Sequence, residues 1–262
     1  MENRSLGRIF AAIAMILWIT MQSFGLLGML IPYSTEEVSL RFPTLLNPYR
    51  LLAVFDFVTN ALLILFLCYS FDLLGRRKSP LQRDFVQIAN VGLCLAALLG
   101  ALEAYLWHAG LFGFCVLLRL VQAGVLVRVI LGYSGSGRGF YFWKLPMEFA
   151  LGNSLVHICL GMATAFSALA RGRAFFTIRA RAVLILLLLT LLALVLALRL
   201  RSTTLLGAVI LAEAALVFWH LQPLPEGYGG RYPVIYITAI LSIAVLITGF
   251  LAVCLGRRRR YS

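Results

Sequence analysis

Eight apolar stretches, most of them near the length an α-helix needs to cross a bilayer, decide what this chain folds into. They run over about 9–31, 51–71, 86–107, 111–133, 147–170, 182–198, 204–221 and 233–255. At 1.5 Å per residue, about 20 residues cover the ~30 Å hydrocarbon layer. Membrane-spanning strands would alternate apolar and polar side chains, whereas VLILLLLTLLALVLALRL (183–200) is apolar on every face. The prediction is all-α: one integral membrane domain over 1–262, a polytopic helical bundle of about eight transmembrane helices. All eight prolines lie at the ends of these runs or between them, where a missing N–H costs least. The longest polar intervals, about 32–50 and 134–146, are too short for a separate soluble domain. Arg4 and Arg8 precede the first run as they would a signal peptide, but the run is too long for one and no A-x-A-like site closes it. It is therefore read as a retained first helix.

A formal charge of +13 suggests nucleic acid in a soluble protein, but here the arginines gather at helix ends. Topology explains them better, and no nucleic-acid partner is expected. An even number of spans puts both termini on one side. That side carries fourteen basic residues, among them Arg76, Arg77, Lys78 and Arg257 to Arg260, against seven on the other. The asymmetry predicts cytoplasmic termini in what is expected to be a bacterial cytoplasmic membrane. The segment 171–181 runs against it, with four arginines on the outer side. Cys68, Cys94, Cys115, Cys159 and Cys254 each sit within an apolar run without C-x-x-C spacing, as small buried hydrophobes do. No phosphate-binding loop, nucleophile elbow or zinc motif is present, and G-S-G-R-G (135–139) follows no strand. The chain is not expected to be an enzyme, and no cofactor or metal is assigned.

Ionisable groups at bilayer depth are costly unless paired or hydrated, so each one is informative. Glu103 and Arg119 flank the tight turn at His108-Ala109-Gly110, which makes their two helices antiparallel neighbours. Their depths differ by roughly 6 Å, and side chains lean toward their own helix N-terminus, which brings the two together. They are predicted to form an intramembrane ion pair, either as a static staple or as part of a ligand-lined wall. Asn153, His157 and Gly161 recur every four residues and share a face, with Thr164 close by. That stripe fits helix packing through small and polar residues, or a ligand contact by His157. Glu213 lies mid-span in the seventh run with His220 seven residues on, and fits a hydrogen bond to a neighbouring helix or a proton relay. Asp56 lies a turn or so inside the second run. Arg128 is expected to snorkel to the headgroups. The sixth run, polar only at Thr190, is expected to face lipid. Most of the aromatics near run ends, Trp18, Trp107, Trp143 and Trp219 among them, are expected in the interfacial belt.

Two stretches are more specific than composition. STEEVSLRFPTLLNP (34–48) resembles the T-x-G-E-I-S-x-x-Y-P-N-L-F-T-P segment of the longer TspO/MBR proteins, the tryptophan-rich sensory or translocator family. KLPMEFALGNSLVH (144–157) resembles that family's L-P-F-x-x-Y-L-G-W-I-x-V-A helix start, matching at Leu145, Pro146, Leu151, Gly152 and Val156. The order of segments and the total length also fit. The family's tryptophans are missing: its S-I-W-G, G-W and V-I-W-A positions read AVFD (53–56), Gly152-Asn153 and ILAE (210–213) here. The resemblance implies a helical bundle whose internal pocket binds an apolar, sterol-like or tetrapyrrole-like ligand for sensing or transport. Asp56, Asn153 and Glu213 fall at or beside the replaced tryptophans, so the expected pocket, with His157, is polar and lined by the second, fifth and seventh helices. Besides the lipid bilayer and such a ligand, the expected partners are a second copy of the chain or a membrane complex. The alternative function is an accessory or structural subunit of such a complex.

Overall fold

The computed structural model describes residues 2–27, 29, 33–47, 49–74, 80–132, 140–169, 177–224 and 226–258. Among these lie nine helices: α1 (Glu2–Leu26), α2 (Thr35–Arg41), α3 (Tyr49–Ser70), α4 (Pro80–His108), α5 (Phe112–Leu131), α6 (Phe140–Leu169), α7 (Ile178–Leu200), α8 (Thr203–Leu221) and α9 (Pro233–Arg258). All but α2 are long and apolar enough to cross a membrane, as the eight apolar runs predict. The arginines at 171 and 173, the cluster at 76–78 and the glycine-rich 135–139 lie outside the described residues.

Local chemistry sets several helix boundaries. Pro80 and Pro233 occupy first positions, where the proline ring's missing N–H would be unpaired anyway. Ser202 caps α8 by accepting from the Leu205 N–H at 3.0 Å, and Arg201 in left-handed geometry (φ 51°) ends α7, so two residues turn the chain through a hairpin. Pro146 departs from the expectation that prolines mark helix ends, because it lies inside α6. It stands in the second turn and forfeits one bond, to the Phe142 carbonyl, while the long helix continues. The interval 32–50, expected to be a polar connection, holds α2. Ser34 and Glu37 form a reciprocal capping box there, with the Ser34 N–H donating to Glu37 Oε2 at 2.7 Å and the Glu37 N–H to Ser34 Oγ at 3.2 Å.

The most enclosed span, α6, packs against α3, α5, α7 and α8. On one side of it α1 lies along α4, and α4 along α5; on the other, α7, α8 and α9 pack together. Small residues make the closest crossings. A Cβ on Gly152 would lie 2.6 Å from Ala208 Cβ, so α6 and α8 approach backbone to backbone. On the α1–α4 seam, Gly100 admits the Trp18 indole and Gly25 admits the His108 imidazole. Trp18 and Trp143 are buried, each 2% exposed, and so leave the interfacial belt expected of them. Trp143 packs edge-on against Phe85. Nor does α7 face lipid all round: Leu184, Leu187, Leu191 and Leu198 point outward, but Ile185, Leu189, Ala193 and Ala197 pack inward. An all-apolar helix carries no hydropathy signal for which face turns inside, and here α6, α8 and α9 cover one side.

Candidate functional site

The second apolar run carries one carboxylate, Asp56, and α6 turns two donors toward it. Asn153 Nδ2 donates to Asp56 Oδ1 at 2.8 Å, and His157 Nε2 donates to the same oxygen at 2.9 Å. The two donors are four residues apart on α6, so one helical turn spaces them to converge on a single acceptor. Gly161, expected on the same stripe, faces α5 instead and packs against Val116. The slow drift of a 3.6-residue helix against a four-residue repeat carries it away from α3.

The predicted ion pair forms. Arg119 Nη2 donates to Glu103 Oε2 at 2.8 Å, with both side chains almost completely enclosed. Arg119 Nη1 also donates to Gln122 Oε1 at 2.9 Å, and Gln122 Nε2 donates to the Ala96 carbonyl at 2.8 Å. Ser154 of α6 adds a 3.3 Å bond to Gln122 Oε1, tying α4, α5 and α6 into one network. The guanidinium lies 5.8 Å from the Trp18 ring, a cation–π contact that helps hold the charge out of water.

These two constellations face each other across one cavity of about 330 Å³. Asp56 and Asn60 of α3, Glu103 of α4, Arg119 of α5, His157 of α6 and Gln22 of α1 all line it. It exists because α1 leans on α4 and only lightly on α3, so a gap opens along the α1–α3 seam. Asn60 Nδ2 donates to Gln22 Oε1 at 2.7 Å across that seam. Phe57, Ile64 and Leu26 line the cavity and are also exposed at 72%, 44% and 55%, so its mouth lies on the apolar outer surface. Thr35 and Asn47, from the segment around α2, line it too. Among the described residues, Arg119 Nε and Asn60 Oδ1 are buried without a hydrogen-bond partner.

The structure departs from the expected pocket in three ways. Glu213 is not part of this cavity: it receives a 3.3 Å bond from Thr190 of α7 and borders a separate void of about 30 Å³. Its helix packs on the face of α6 that carries Gly152, away from the His157 face. Asn153 is buried behind Asp56, orienting the carboxylate without lining the space. Glu103 and Arg119, read as a staple or as part of a ligand-lined wall and not grouped with the expected pocket, belong to the wall of this same cavity. His220 is not turned to Glu213 but donates through Nε2 to the Leu45 carbonyl at 2.8 Å, pinning the segment before α3. Sequence reasoning missed Gln22, Asn60, Gln122 and Ser154. All are neutral polar residues inside apolar runs, and that was the available signal.

Chemically, the arrangement offers oriented charge and hydrogen bonds inside an apolar enclosure. Among the described residues, no three His, Cys, Asp or Glu gather as a metal site would require. The described cysteines are all free, with Cys115 and Cys159 buried.

A bundle of eight membrane-capable helices is what the two resembling stretches implied, and the cavity meets one of the three replaced tryptophan positions, at Ala53 and Asp56. Searches among curated proteins and among solved structures found no match. The family model for TSPO-like proteins matches residues 8–252, from the first span into the last, and this integral membrane protein belongs to the TSPO-like family.

Proposed function

We propose that the chain binds an amphipathic small molecule in the cavity between α1, α3 and α4, as a step in sensing or transport. What supports this most is the convergence of Asp56, Glu103, Arg119 and His157 from four helices on one space. Buried polar groups are costly, and helices that merely pack need no cavity between them. The volume, about 330 Å³, falls at the lower end of ligand pockets. It suits a ligand of modest size, or the head of a longer one whose tail stays in the bilayer. A sterol-like or tetrapyrrole-like molecule would leave much of its surface at the mouth. Both chain termini are assigned to the cytoplasm in this reading, from the basic asymmetry of the connecting segments.

The test is purification from native membrane with mass spectrometry of accompanying small molecules. Ala53 lines the cavity one turn before Asp56, so Ala53→Phe narrows it without touching the polar groups. An amphiphile should accompany the native chain and be depleted at least tenfold in the variant. Identical small-molecule profiles would remove the reading.

A further inference from the structure

The wall of the cavity leaves acceptor atoms uncovered. It carries two carboxylates, Asp56 and Glu103, and one guanidinium, Arg119, with His157 bonded through Nε2 to Asp56 Oδ1 at 2.9 Å. Arg119 is paired with Glu103 at 2.8 Å. The two donors from α6 both take Oδ1 of Asp56, and no bond to Oδ2 is found among the described residues. One turn further along the same face of α3, the Asn60 Oδ1 acceptor is also without a partner. Of these two acceptors the uncovered carboxylate oxygen is the stronger.

Building on the pocket reading above, we propose that its ligand is a lipophilic amine: a protonated amino head on Asp56, with an apolar tail leaving past Phe57 and Ile64 into the bilayer. An ammonium group brings up to three N–H donors and a positive charge, which makes its hydrogen bond to the carboxylate a charge-assisted one. An anionic head would do the opposite. It would find Arg119 paired with Glu103 and would bring its negative charge against the Asp56 carboxylate in a low-dielectric space. A neutral alcohol satisfies one acceptor, with a hydrogen bond that only the carboxylate's charge assists. The mouth favours a single tail because Phe57, Ala61 and Ile64 follow one another along the outer side of α3, at helical spacing.

The experiment is calorimetric titration of the full chain in detergent micelles with dodecylamine, dodecanol and dodecanoate. The same micelles without protein serve as the baseline for partitioning into detergent. The native chain should bind the amine at least tenfold more tightly than the alcohol and bind the carboxylate weakest, and Asp56→Asn should lose the preference for the amine over the alcohol. Equal binding of all three by the native chain would leave the pocket standing and overturn the amine assignment. Absence of binding by any of the three would overturn both. The comparison of head groups on the native chain decides the matter even if Asp56→Asn, deprived of the acceptor for Asn153 and His157, folds poorly.

Discussion

Arg119 and Glu103 meet at 2.8 Å across the α4–α5 hairpin, with side chains only 3% and 5% exposed, in a part of the molecule where neither charge has water to fall back on. Removing one partner leaves the other buried and uncompensated, which costs about 3–5 kcal/mol, whereas removing both leaves no orphaned charge. Arg119→Met and Glu103→Gln alone should therefore each lower the melting temperature in detergent strongly. The double variant should recover most of the loss. Additive losses in this cycle would show that the pair contributes no coupling.

The α6–α8 crossing predicts opposite outcomes for two neighbouring glycines. A Cβ at Gly152 would meet Ala208 Cβ at 2.6 Å and the Leu205 carbonyl at 3.2 Å, so Gly152→Ala must push the helices apart. That should cost about 1–3 kcal/mol. Gly207 lies in α8 with nothing within 4 Å of the same construction. Gly207→Ala should be neutral or stabilise by roughly 0.5–1 kcal/mol through helix propensity alone. Thermal melts of the two variants side by side check both signs.

Glu213 Oε2 is buried without a partner among the described residues, beside a void of about 30 Å³. An amide fills the same space and carries no charge to desolvate, so Glu213→Gln should change stability by less than about 1 kcal/mol. It should also leave amphiphile binding in the larger cavity unaltered. Weakened binding in this variant would put Glu213 on the ligand's path.

Eight spans require residues 79 and 262 to lie on the same side. With Cys68, Cys94, Cys115, Cys159 and Cys254 replaced, single cysteines at Ser79 and Ser262 should both react with a membrane-impermeant thiol reagent only when the cytoplasmic face is exposed. Labelling from opposite faces would overturn the span count.

The spans were legible because the bilayer demands a run of apolar residues for every crossing, and nothing else in a sequence imitates eight of them. Glu103 and Arg119 were legible as a pair because a short turn converts sequence distance into depth. The convergence of Asn153 and His157 on Asp56 was legible only in part. Polar groups at depth must turn inward, but hydropathy does not record the order of helices around the bundle, and so Glu213 was grouped with the wrong neighbours. The α2 helix was readable from the Ser34–Glu37 spacing, yet its polarity made it look like a connection. Trp143 misleads because an indole near a helix end suits the interface and a buried ring contact equally well, and Trp18 because it lies eight residues inside the end of α1, where Gly100 of α4 leaves room for its ring.

The mouth along the α1–α3 seam sets the concentration that a ligand would feel. Molecules reaching Asp56 by that route come from the lipid phase, so occupancy would follow their partition coefficient as much as their affinity for the polar wall. A weak site becomes a filled one wherever the membrane itself accumulates the compound, and apparent dissociation constants expressed per litre of buffer would drift with the amount of lipid or detergent present. Expressed as mole fraction in the membrane, they would hold constant.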